Sequence, residues 1–266
     1  MKFQNCLLAS DYDGTLYDDT GKIPASVMDA IKYYISEGGY FTVCTGRVLQ
    51  GFHAYDSAYI NAPVLLSNGA CAYDYTKNQY AFRVEIGAEG IPLVRALAEK
   101  FPMLSIELYN TETICAVHMS KNTKQHFAIQ NIEGVPVDDP AKSKLPWTKI
   151  MLLDALPVTD AVQAFIAEFC DDPVSIPTSG DWIEITKRGA NKGTGVLRLA
   201  DSLGVPHDRV FAVGDGYNDA DMLRAARIGF APRNGSREAL AAADRIVRSN
   251  RDGAVAHVIE ILDKMF

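Results

Sequence analysis

Long apolar runs are missing from this 266-residue chain. No stretch approaches the roughly 20 residues that a membrane-spanning helix needs. The start, Met1-Lys2-Phe3-Gln4-Asn5, runs straight into an apolar segment without the core of a signal peptide. The expectation is a cytoplasmic protein with no membrane partner. Long runs of one charge sign are missing as well: 26 Lys and Arg stand against 33 Asp and Glu, a net charge of −7. That argues against nucleic acid or an anionic membrane surface as the main partner. An anionic small ligand stays open, because the local field of a cleft outweighs net charge. Cysteine is sparse, five in all (Cys6, Cys44, Cys71, Cys115 and Cys170), mostly within apolar runs and never as C-x-x-C. These read as small core residues in a reducing compartment. The histidines are scattered, and no His or Cys pair has ligand spacing, which disfavours zinc. Gly189–Thr194 lacks the order of a nucleotide P-loop, and Gly214-x-Gly216 lacks the third glycine of a dinucleotide fingerprint. No internal repeat is visible.

What is present is a large apolar share, 48% of residues, enough for a sizeable core in one large domain or two ordinary ones. The most informative stretch is Leu7-Leu8-Ala9-Ser10-Asp11-Tyr12-Asp13-Gly14-Thr15-Leu16. The apolar run predicts a buried strand, and Gly14 permits a sharp turn at its end. Side chains two apart on an extended chain point the same way, so Asp11 and Asp13 are expected to project together. Their repulsion is relieved if one stays protonated or if a cation sits between them. A plain solvated loop with two capping aspartates would account for the polarity but not for the motifs that follow.

The chain around this stretch alternates strand and helix. A helix is predicted after Pro24, with Val27, Ile31, Tyr34 and Ile35 on one face and Gly38-Gly39 as its stop. A strand follows at Tyr40–Thr45, then a helix through about Ala58, then a strand at Pro63–Ser67 ending in Asn68-Gly69. Hairpin strands flank Lys77-Asn78. From about 86 to 185 neighbouring strands lack a helix between them, which implies antiparallel pairing and a separate α+β unit. Pro136 to Pro146 reads as a polar loop within it. Alternation resumes after Lys187. The expected fold is α/β, a Rossmann-like parallel-sheet core (1–84 plus 187–266) with an inserted α+β cap domain (85–186).

Gly214-Asp215-Gly216-Tyr217-Asn218-Asp219 repeats the opening logic after the strand Val210–Val213. Ligands of open α/β sheets bind at the carboxyl ends of the strands. Strand ends at Asp11, Thr45, Asn68 and Asp215 are therefore expected to converge. Asp11, Asp13, Asp215, Asn218 and Asp219 offer only hard oxygen donors, a set suited to Mg²⁺.

Four motifs now stand in order: D-x-D-G-T-L at Asp11–Leu16, T-G-R at Thr45–Arg47, Lys192, and G-D-G-x-N-D at Gly214–Asp219. Together they resemble the haloacid dehalogenase superfamily of aspartate-nucleophile phosphotransferases. The large insert is similar to the type-two cap of its Cof-like phosphatase branch, as are Asn68-Gly69-Ala70 and Asn191-Lys192-Gly193. The resemblance implies Asp11 as nucleophile, Asp13 as acid and base and Lys192 as charge-compensating group. It also implies Asp215 as direct metal ligand, with Asp11, the Asp13 carbonyl, Asn218 and Asp219 completing the metal environment. Thr45, Gly46, Arg47 and Asn68 would bind phosphate or substrate, the amides around Gly46 lying near a helix N-terminus. Asn191 is a further candidate or simply the cap of the next helix. The implied activity is Mg²⁺-dependent hydrolysis of a small phosphate ester, a sugar phosphate or a cofactor-type phosphate. A phosphosugar mutase and a non-catalytic phosphometabolite sensor are the rivals. Tyr109, His118, Trp147 and Trp182 either line a substrate pocket in the insert or pack its core. Oligomeric state is not encoded in any pattern found.

Overall fold

A computed structural model describes residues 1–18, 20–156, 158–169, 174–179 and 182–266. It comprises two compact units: Met1–Gly46 with Ala54–Phe82 and Asn191–Phe266, and Arg47–His53 with Arg83–Ala190.

The first unit is built on five parallel strands in the order Arg245–Val247, Ile228–Pro232, Val210–Val213, Leu7–Ser10, Tyr40–Val43. The two central strands are buried at every residue, as an apolar run covered on both faces requires. Helix Ala25–Ser36 buries Val27, Ile31 and Tyr34 and packs with the helix Ala254–Asp263. Helix Lys192–Leu203 packs with Ala220–Ala225. Register is what matters for the site: Leu7 pairs with Val210 and Tyr40, and Ser10 with Val213 and Val43, so three strands end level. Val64–Leu66 extends this edge through a parallel bridge from Leu65 to Cys44 and turns back antiparallel into Cys71–Asp74.

The second unit holds a six-stranded sheet, in the order Val174–Ser179, Trp182–Thr186, Lys149–Leu153, Ser105–Tyr109, Ile114–Val117, Val135–Val137. Its pairs are antiparallel except the last, which is parallel. That last strand overlaps the start of the expected polar loop. Pro136 masks it in the sequence, and its edge position is where a strand tolerates proline. Trp147 is fully buried in this unit's core and its Nε1 donates to Ser143 Oγ at 2.9 Å. Tyr109, the last residue of Ser105–Tyr109, is also buried and donates to Glu107. Both therefore pack the interior of the unit. His118 is exposed and Trp182 half-buried.

One expected helix is absent. Between Arg47 and Ala58 the chain forms only the 3₁₀ turn Leu49–Gly51. Val48 and Phe52 mimic a helical face by their spacing, but Val48 instead joins an apolar cluster with Tyr109, Ile114 and Phe127. Gln50 Nε2 donates to the carbonyl of Asn110 at 3.0 Å. Tertiary contacts thus outweigh the propensity of a short segment containing glycine. Gly46 consequently does not adjoin an α-helix N-terminus.

Candidate active site

Backbone hydrogen bonds carry the sheet one step past the strand ends. Asp11 N donates to Val213 O at 2.8 Å, Cys44 N to Ser10 O at 2.8 Å, and Thr45 N to Leu65 O at 2.9 Å. Gly214 N donates to Phe230 O at 3.1 Å. The ends at Asp11, Thr45, Asn68 and Asp215 are thereby tied to one edge of one sheet, and Asn68 N donates to Thr45 O at 3.0 Å.

At that edge the carboxylates of Asp11, Asp215 and Asp219 come together, with one oxygen of each inside a 4.8 Å cluster. Lys192 Nζ lies between two of them, donating to Asp11 Oδ1 at 2.5 Å and Asp219 Oδ1 at 2.6 Å. Lys192 is 1% exposed and Asp219 not at all. Asp219 also accepts from Gly216 N at 2.7 Å. Asp215 accepts from Thr15 Oγ1 at 2.5 Å. Gly14 makes this approach possible: at φ +85° its backbone lies so close that a β-carbon would stand 2.5 Å from Asp215 Oδ2.

Asp13, expected to project with Asp11, is not one of the three clustered carboxylates. After Ser10 the chain leaves the strand in a π-helical turn, Tyr12–Leu16, interrupted at Asp13 and Gly14. Asp11 is buried while Asp13 is exposed. The carboxylates that crowd Asp11 come from a loop some two hundred residues later.

Electrostatics follow burial. Desolvation, reinforced by Asp219, pushes the Asp11 carboxyl well above the ordinary range, and the Lys192 ammonium opposes this. Burial also pushes Asp215 up to about 6, against the Thr15 hydrogen bond that holds it down. For Lys192, burial favours the neutral amine, but the carboxylates of Asp11 and Asp219 prevail and raise it well above its usual value. The lysine is a fixed cation. Cys44, close to the same groups, has its thiol pushed up by burial and offers no nucleophile.

The remaining candidates take varied places. Thr45 and Asn68 are buried. Asn68 Oδ1 accepts from Asn218 Nδ2 at 3.0 Å, linking two of the strand-end loops. Asn191 caps the helix Lys192–Leu203, its Oδ1 accepting from Thr194 N at 2.8 Å. Arg47 belongs to the second unit, where its Nη1 donates to Gly51 O at 3.4 Å. Two supporting residues carry no individual signal in the sequence reading: Thr15, inside the first motif, and Asn234, whose Nδ2 donates to Gly14 O at 2.8 Å.

Three carboxyl groups against one ammonium make an acidic, mostly buried set of hard oxygen donors, two of them with pKa raised by burial that the one ammonium does not offset. That donor set and charge fit a divalent cation.

The profile of the haloacid dehalogenase-like hydrolases matches residues 8–259. Bacillus subtilis (strain 168) YxeH is 29% identical over 269 residues, covering 96% of this chain and 97% of its own. YitU of the same organism, a 5-amino-6-(5-phospho-D-ribitylamino)uracil phosphatase, is 23% identical over 266 residues with 98% of both chains covered. Among solved structures, the subclass IIB sugar phosphatase BT4131 superposes with a TM-score of 0.85 at 19% identity, covering 96% of this chain and 98% of that one. At that identity the likeness speaks for the fold. Because the profile spans nearly the whole sequence, this chain belongs to the haloacid dehalogenase-like hydrolases.

Proposed function

We propose that this hydrolase is a Mg²⁺-dependent phosphomonoesterase that acts on a small phosphorylated metabolite through an aspartyl-phosphate on Asp11. The observation that carries the reading is Lys192 held between Asp11 and Asp219, with Asp215 in the same cluster. A carboxylate that must attack an anionic ester needs its charge masked; Lys192 supplies part of that masking, and a cation held by the acidic cluster would supply the rest. Binding alone would not require a lysine fixed against a buried carboxylate.

In this reading Asp11 attacks phosphorus in line, forming the Asp11–phosphorus bond as the bond to the leaving oxygen breaks. The exposed Asp13 gives its proton to the leaving alkoxide, then takes one from the water that attacks the aspartyl-phosphate. Phosphate leaves and Asp11 is regenerated. Thr45 and the Gly46 amide hold the transferring group, and Lys192 compensates the charge on its oxygens. Asp11, Asp215 and the Asp13 carbonyl, with Asn218 and Asp219 around them, would hold Mg²⁺, which would supply charge neutralisation for the attack on the anionic ester. The names of YitU and BT4131, both phosphatases of phosphorylated small molecules, support the substrate class.

A panel of sugar phosphates and cofactor-type phosphates, assayed for phosphate with and without Mg²⁺, tests the reading. Release that depends on Mg²⁺ supports it. Isomer formation from a hexose phosphate without phosphate release would move the reading to a mutase. Ligand-induced thermal stabilisation without turnover would move it to a sensor.

Two further results are expected. Replacing Thr15 by valine removes a hydrogen bond that holds Asp215 down and oriented. Mg²⁺ affinity, followed by thermal shift, is expected to fall roughly 10- to 100-fold. An unchanged Mg²⁺ midpoint would count against Asp215 as a ligand. The second concerns pH. Asp215 at about 6 and Asp11 well above the ordinary range bind protons more tightly in the folded chain than in the unfolded one. The contribution of Asp215 to stability is fully present below about pH 4 and is lost as pH rises through about 6, and that of Asp11 has the same sign. In chelator, the melting temperature is therefore expected to be higher at about pH 5 than at about pH 7.5, and Mg²⁺ is expected to raise it most at the higher pH. A metal-free melting temperature that climbs with pH over this window would refute the strained-carboxyl account.

A further inference from the structure

The helix that carries Lys192 begins Lys192-Gly193-Thr194-Gly195, and both glycines are buried. Glycine inside a helix is destabilising relative to alanine, so two in the first turn ask for a reason. Close packing supplies it. A β-carbon on Gly193 would stand 2.5 Å from the main-chain oxygen of Asp221. One on Gly195 would stand 2.7 Å from Gly69 Cα and 2.9 Å from Gly69 O. Residues two apart lie on opposite sides of a helix, at about 100° per residue. The helix start is therefore gripped backbone to backbone, by the helix Ala220–Ala225 on one side and the turn after Val64–Leu66 on the other.

That turn is itself held in an unfavourable conformation. Ser67 at φ 50° and Asn68 at φ 54° are consecutive left-handed residues, followed by Gly69 at φ 80°. Such strain persists where surrounding contacts over-determine it, and it gathers at functional sites. Here those contacts are identifiable. Asn68 accepts from Asn218, and a β-carbon on Gly69 would collide with the carbonyl of Asn191. The turn thus touches both the acidic loop and the root of the lysine helix.

We propose that Gly195, seated on Gly69, is a positioning residue for phosphoryl transfer, setting how far Lys192 reaches between Asp11 and Asp219. The proposal rests on the phosphatase reading above. Lys192 and Gly195 are three residues apart and so neighbours on one helix face. Any displacement that makes room for a β-carbon at 195 therefore moves the lysine root directly. Contacts of 2.5 Å and 2.6 Å from Nζ to its two carboxylates leave little slack to absorb such a shift. The role is distinct from core packing, for which Leu199 on this helix is the comparison: it is fully buried and belongs to the apolar cluster with Val196 and Ala200.

The test compares Gly195→Ala and Leu199→Ala with the wild type, using p-nitrophenyl phosphate and Mg²⁺ at a temperature where all are folded. Gly195→Ala is expected to lower kcat roughly 10- to 100-fold, with KM changed less than about threefold, since a misplacement of about 1 Å can cost that much. Leu199→Ala is expected to lower the melting temperature while its kcat stays within about twofold of wild type. A Gly195→Ala enzyme with wild-type kcat overturns the proposal, and so does an equal kcat loss in Leu199→Ala, because activity would then follow stability. If Gly195→Ala does not fold, Gly193→Ala, which presses on the same helix from its other side, is judged by the same criteria. Failure of both to fold while Leu199→Ala folds overturns the proposal, since the grip then serves folding. An inactive wild type takes down the phosphatase reading together with this proposal, whereas an active wild type with an unaffected Gly195→Ala takes down the proposal alone.

Discussion

Replacing Asp11 by asparagine is expected to lower Mg²⁺-dependent phosphate release by roughly 10³-fold or more, the scale of losing a covalent nucleophile. Asparagine matches the shape of aspartate and keeps an oxygen that can accept from Lys192. What it loses is the anionic oxygen that attacks phosphorus. The same change should not weaken the fold. Burial and Asp219 push the Asp11 carboxyl well above its ordinary range, so its ionised form is a source of instability in the metal-free chain. A melting temperature in chelator equal to or above that of the wild type at neutral pH is the expected companion result. Activity and stability thus move in opposite directions, a pattern that general damage to the fold cannot produce. Release within about tenfold of wild type would remove Asp11 from the nucleophile's role.

Replacing Lys192 by methionine should cost both activity and stability. The ammonium is 1% exposed and bridges Asp11 and Asp219. Removing it leaves two buried carboxylates without their cation, a change that costs about 3–5 kcal/mol when one partner of a buried pair is lost. Methionine fills similar volume, so little of that loss comes from a cavity. Denaturant unfolding in chelator measures it, and Mg²⁺ is expected to recover part of it by restoring positive charge to the pocket. Turnover should fall roughly 10²- to 10³-fold even with Mg²⁺ saturating, because charge developing on the transferring group loses one fixed donor. A stability change below about 1 kcal/mol would mean that the carboxylates share protons instead of relying on the lysine.

Much of this site is visible in one dimension. Asp11 follows the buried strand Leu7–Ser10 and Asp215 follows the buried strand Val210–Val213 and Gly214, each with a glycine within three residues, a local pattern that predicts a strand end carrying an acid. The parallel core and the antiparallel insert follow from whether a helix separates successive strands. Other features are hidden for physical reasons. Asp13 matches Asp11 by its i, i+2 spacing, yet a π-turn over Tyr12–Leu16 leaves it exposed. Val48 and Phe52 carry helical spacing, yet packing of Val48 with Tyr109 and Phe127 wins over helix formation. Val135–Val137 contains a proline and pairs only at a sheet edge, so its identity as a strand depends on the neighbour Ile114–Val117.

Read alone, the amino-acid order establishes the chemical inventory: hard oxygen donors and glycine-flanked turns at strand ends, and one lysine at a helix start. Local periodicity and turn chemistry are properties of a few neighbouring residues, so they survive in the linear chain. The folded molecule alone settles that Lys192 bridges Asp11 and Asp219, that Asp13 is exposed while Asp11 is buried, and that Gly195 rests on Gly69. Those facts arise from burial and from distances between residues far apart in the chain, quantities to which the whole structure contributes and which no short stretch can encode.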